Sequence, residues 1–135
     1  MALTTAASKD STLEFFVKAT NKHDFSLDIT LNVRGAMISG TTISASGYLE
    51  SLAESFEEGN EVSQKLGEQM RKAGEAAEES DDDELHFIHL KDAQIYLADN
   101  KGMPTRGKVL WRGRLTEVDG YFLGKITESR SSSSS

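Results

Sequence analysis

Residues 25–42 read FSLDITLNVRGAMISGTT, and the order of apolar residues in this stretch decides the fold. Phe25, Leu27, Ile29, Leu31 and Val33 alternate strictly with Ser26, Asp28, Thr30 and Asn32, the period-two pattern of a strand with one buried face. Arg34-Gly35 interrupts the alternation, and a second strand resumes at MISGTTIS, where Gly40 lacks the Cβ that would resist a sharp bend. An antiparallel hairpin is therefore expected.

Upstream, Ser11 and Glu14 have the spacing of a capping box, and Leu13, Phe16, Val17 and Thr20 fall on one face of a short amphipathic helix. Downstream, helical spacing returns after Ser46, a suitable cap, with Tyr48, Leu49, Leu52, Ala53 and Phe56. Gly59 ends that helix and Asn60 caps another carrying Val62, Leu66, Met70 and Ala73, a narrow apolar stripe suited to the surface or to a partner. Residues 75–84, EAAEESDDDE, hold seven acids in ten positions, which repel one another and read as a solvated linker. Residues 46–79 thus form a helical insert.

Strands resume at LHFIHLKDAQIYLA (85–98). Phe87 and His89 share one face and Ile88 and Leu90 the other, until a phase shift near Lys91-Asp92 predicts a bulge. DNKGMPT (99–105) reads as a loop, and two last strands run from Lys108 to Ile126, joined by Asp119-Gly120 as a tight hairpin. The expected fold is α+β: an N-terminal helix, a five-stranded, strongly bent antiparallel sheet, and a helical acidic insert between strands 2 and 3. Residues 11–127 make one domain, after a flexible 1–10 and before a disordered Ser-rich tail at 128–135.

Composition narrows function. Fifteen Lys and Arg against twenty-two Asp and Glu give a net charge of −7, which opposes non-specific attraction to nucleic acid or anionic membranes. No cysteine is present, so thiolate catalysis and Cys-based zinc sites are excluded, and the chain suits a reducing cytoplasm. No run of residues is apolar enough to span a bilayer. His86 and His89, three apart on a strand, point to opposite faces and read as ordinary strand residues rather than a metal pair. No GxSxG, P-loop or GxGxxG occurs and the acids are not placed as a catalytic pair, so neither an enzyme, a cofactor nor a small-molecule substrate is expected.

Binding residues follow from the same patterns. In GKVLWRGRLTEVDGYFLGKI (107–126), Trp111 is in phase with Val109, Gly113 and Leu115 and reads as core, while Arg112 and Arg114 project together from the other face. These arginines meet acids either within the chain or on a partner. Asp81, Asp82 and Asp83 in the acidic run are the matching negative charges for self-association, and Tyr48, Leu52 and Phe56 read as core or as an apolar contact patch.

Two resemblances add to this reading. Gly107, Val109, Arg112 and Gly113 fit G-x-V-x-x-R-G, and with ITLNVRGAMISGTTIS (29–44) they resemble the signatures of Sm-like proteins, whose bent strands close into a small barrel. Sm-like proteins read RNA with an Asp and an Asn after the second strand and an Asn or Asp after the Arg-Gly; SASGY (44–48) and Arg114-Leu115 stand there instead, and an Sm-like RNA-binding module is the alternative reading. From about residue 11 to 127, the motifs FSLDI, HFIHLK, WRG, EVDG and FLGKI are similar to the GvpU family of gas vesicle accessory proteins. That resemblance implies a non-enzymatic, cytoplasmic protein at the vesicle surface, which binds shell protein and organises or clusters vesicles; homo-oligomers are expected separately, because the edges of five short strands in a bent sheet are readily completed by another copy.

Overall fold

A computed structural model describes residues 10–23, 25–79, 85–97, 102–104 and 107–126. Helix α1 (Ser11–His23) starts one residue past its cap: Asp10, rather than Ser11, accepts the amides of Thr12 and Leu13 at 2.9 Å each. Strands β1 (Asp28–Val33) and β2 (Ala36–Thr42) pair antiparallel across Arg34-Gly35, both at positive φ (53° and 89°), as a two-residue turn of matching twist requires. Between β2 and strand β3 (Phe87–Tyr96) lie helices α2 (Ala45–Glu54) and α3 (Glu61–Glu79), as expected of the insert.

The insert differs from expectation in its details. Ser44, not Ser46, caps α2 by accepting the Gly47 amide, whereas Asn60 caps α3 as anticipated, accepting the Ser63 amide at 2.9 Å. Helix α3 runs on to Glu79, so the first half of the acidic run is helix; residues 80–84 lie outside the described residues. The side of α3 turned to α2 is centred on Gly67 and Gly74, with Met70 of the expected stripe half-buried between them. A Cβ on Gly67 would sit 3.2 Å from the Ala53 carbonyl oxygen, and one on Gly74 3.2 Å from that of Ser46. Val62 and Leu66 consequently stand 66% and 44% exposed.

The remaining strands are β4 (Gly102–Met103), β5 (Val109–Arg114) and, after a 3-10 turn at Leu115–Glu117, β6 (Gly120–Leu123). They complete a six-stranded antiparallel sheet in the order β4-β3-β2-β1-β6, with β5 also on β3. Three expectations are corrected here. The sixth strand is β4, formed where the loop pairs Met103 with Ile95. Asp119-Gly120 is not a hairpin, because the 3-10 turn carries the chain away from β5, which pairs β3, to β6, which pairs β1. The sheet is consequently open rather than closed into a barrel, ending at β6 on one side and at β4 and β5 on the other.

The predicted bulge is Asp92, at φ 53°. Ser39 faces Gln94 while Thr41 faces Lys91, and Leu90 faces Trp111 while Ala93 faces Val109, so β3 carries one extra residue against both neighbours. Apolar residues of one sheet face, Ile29, Leu31, Ile38, Ile88, Leu90 and Ala93, pack with Leu13 and Val17 of α1 and with Leu115 as the core. The opposite face carries Thr30 and Ser39, hydroxyl to hydroxyl at 2.7 Å. The chain does not continue as a strand to Ile126: Gly124 turns at φ 108°, its carbonyl accepts the Thr30 hydroxyl, and the Ile126 amide donates to Ser39 Oγ at 2.9 Å. These bonds satisfy the buried hydroxyls.

Candidate functional site

The bulge and the strand register together bring chemistry to the start of β3. Phe87 opposes Arg114 and His89 opposes Arg112 across β3–β5, all on the face away from the core. The Arg112 guanidinium lies 3.8 Å from the centroid of the Phe87 ring, a cation–π contact. Among the described residues neither Arg112 nor Arg114 forms an ion pair; the pairs present are Arg34–Glu117, Arg71–Glu57 and Lys125–Asp28. Trp111 points the other way and packs, half-buried, against the core, as its phase predicts.

Beside Phe87 opens a cleft of about 850 Å³. Helix α1 contributes Lys18, Asn21, Lys22 and His23, and the first turns of α2 contribute Ser44, Ser46 and Leu49. Ala73, Ala77 and Glu78 of α3 form another wall; Leu85, His86, Phe87, His89 and Arg112 complete it. A smaller neighbouring hollow of about 320 Å³ is lined by His86, Phe87, Arg114 and Thr116, so Phe87 divides the two arginines between adjoining depressions.

His89 is the buried polar group of this region, 7% exposed, with its ring 4.7 Å from that of Tyr48. Burial, and after it the guanidinium of Arg112, lowers its pKa from 6.5 to about 4, so the imidazole is neutral at pH 7. Tyr48 thus serves to hold α2 on β3. Leu52 and Phe56 are half-buried, the Phe56 Cβ lying next to the position a Cβ on Gly67 would take, so these three residues take part in packing within the chain. Asp81, Asp82 and Asp83 lie outside the described residues.

Strand alternation does not reveal the meeting of His86 with His89. His86 precedes β3, where alternation does not govern its direction, and both line the cleft with His23 from α1. No group of three or more His, Cys, Asp or Glu able to hold a metal ion occurs among the described residues. The contribution of Lys18 and Lys22 has no local signal, since a four-residue spacing of lysines is common on any solvated helix face.

Fold and site define a small α+β protein with an open antiparallel sheet, a cleft lined by Lys18, Arg112 and three histidines, and no helix among the described residues long and apolar enough to cross a membrane. Residues 10–126 match the family described as gas vesicle protein GvpU-like, and the chain belongs to that family of gas vesicle accessory proteins. No curated protein and no solved structure matches it.

Proposed function

We propose that this chain is a non-enzymatic factor that binds the protein shell of gas vesicles and organises or clusters them from the cytoplasm, through self-association or multivalent contact. The observation that carries the reading beyond family membership is the pair of sheet edges left unpaired among the described residues, the outer sides of β5 and β6. Unpaired strand edges are templates for another strand, and edges at opposite ends of one sheet allow copies to join head to tail. On β6, Phe122 and Leu123 are 46% and 57% exposed, which adds apolar area to the backbone donors and acceptors of that edge. Arg112 and Arg114 supply positive charge without an ion-pair partner among the described residues, on a chain of net charge −7, so an acidic surface on shell protein or on a second copy would be attracted to them.

Flotation and turbidity of intact gas-filled vesicles mixed with the purified protein test this reading. The wild type is expected to float with the vesicles and cluster them. Arg112→Gln with Arg114→Gln should cost under about 1 kcal/mol of stability yet weaken clustering at low salt. The difference should shrink towards 1 M salt, where charges are screened over about 3 Å. A double variant that clusters like wild type at every salt concentration removes the arginines from the mechanism. A protein that stays behind when vesicles float removes shell binding.

A further inference from the structure

We propose that the cleft between α1, the start of α2, α3 and the start of β3 binds a small organic phosphate monoester, its phosphate held by Lys18, Arg112 and the His89 imidazole and its organic body against the α3 wall. This goes beyond vesicle organisation and does not depend on it. All three histidines of the chain line this one cleft. His89 is the informative one: it is more than nine-tenths buried and has no hydrogen-bond partner for its side chain among the described residues. Because no side-chain nitrogen or oxygen of the described residues is sealed from solvent without a partner, the ring nitrogens of His89 open into the cleft. The neutral ring has one N–H free to donate there, and an oxyanion can accept it.

Charge and backbone agree with that assignment. Among the described lining residues, Lys18 and Arg112 bring positive charge to the cleft within a molecule of net charge −7. A phosphate monoester near pH 7 carries about −1.5 to −2. The N-terminus of the ten-residue helix α2 also faces the cleft: Asn21 Oδ1 accepts the Ala45 amide and Ser44 Oγ that of Gly47, leaving the Ser46 amide as a first-turn donor. Helix N-termini with a free amide favour phosphate. Leu49, Ala73, Ala77 and Leu85 give the apolar wall, and the volume falls within the roughly 300–1,000 Å³ of small-ligand sites. A compact phosphate can meet Lys18, Arg112 and the Ser46 amide together, whereas the successive carboxylates of a polyacidic peptide would reach beyond them into a molecule of net charge −7.

The titratable and charged groups around His89 are Arg112 on β5, Tyr48 on α2, Glu78 on α3, His86 beside β3, and Lys18, Lys22 and His23 on α1. The test is NMR titration of the full chain with phenyl phosphate and adenosine 5′-monophosphate, following the imidazole resonances of His89. Benzoate and the free peptide EESDDDE serve as comparisons. The expected result is a saturable movement of the His89 resonances with either phosphate, at least about tenfold tighter than with benzoate. Lys18→Gln should weaken phosphate binding severalfold, while Lys65→Gln, exposed on α3 and outside the cleft, leaves it unchanged. Arg112→Gln should weaken phosphate binding likewise, and Lys18→Gln on α1 tests the site without touching the sheet. No saturable change at His89 up to about 10 mM phosphate ester overturns the proposal. So does tighter binding of the acidic peptide, or equal phosphate affinity in wild type and Lys18→Gln.

Discussion

Trp111→Ala is expected to lower the free energy of unfolding by about 3 kcal/mol, the low end of the range for buried aromatics because the indole is half-buried. The indole lies so close over Gly113 that a Cβ there would overlap its six-membered ring. Gly113→Ala should therefore expel the ring from its place against the core and cost a similar amount. If that is the cause, the two losses do not add: in the Trp111→Ala protein the Gly113→Ala change should cost well under about 1 kcal/mol. Denaturant titration of the two single variants and the double variant measures this directly. Additive losses would mean that Gly113 acts through its own backbone rather than by making room for the indole.

A loss of similar size is expected from acid. The His89 pKa is lowered, from 6.5 to about 4, so as pH falls the unfolded chain takes up a proton near 6.5 and the folded chain only near 4. Below 6.5 the unfolded state binds more protons from this group, and stability falls with pH across that window. The full loss is on the order of 3 kcal/mol, because each pH unit separating the two values is worth about 1.36 kcal/mol. Carboxylates add their own acid dependence, so the measurement is the difference between wild type and His89→Gln in thermal unfolding from pH 7 to pH 4. Wild type should lose stability more steeply than the variant; parallel curves would show that His89 is not held neutral by its surroundings.

The hairpin, the insert and the bulge are legible because each is written in neighbouring residues. Alternation from Phe25 to Val33, the Arg34-Gly35 break and the phase shift at Lys91-Asp92 are local signals. Trp111 and the two arginines are legible for the same reason, since a strand's period assigns faces without knowledge of the partner strand. What is not legible depends on distant pairing. Asp119-Gly120 has the chemistry of a tight turn, but the pairing of β5 with β3 and of β6 with β1 overrides it. Met103 joins the sheet only because β3 offers an edge there. The cleft gathers side chains from five elements, among them Lys18, Glu78 and His86, and no spacing within any one of them reveals the others.

The glycine contacts between α2 and α3 have a dynamic consequence. Gly67 and Gly74 let the two helices approach at backbone distance, but each forgoes roughly 1 kcal/mol of helix propensity relative to Ala and brings no side chain to the seam. Val62 and Leu66, which could have held the pair together, face water. Helix α3 is therefore expected to open together with α2, as a unit of lower opening energy than the sheet. In deuterium the amides of α2 and α3 should exchange faster than those of β1, β2 and β3, which wait for the whole domain to unfold; equal protection in both would rule this out. Since Ala73, Ala77 and Glu78 wall the cleft, the same opening would expose its interior to solvent.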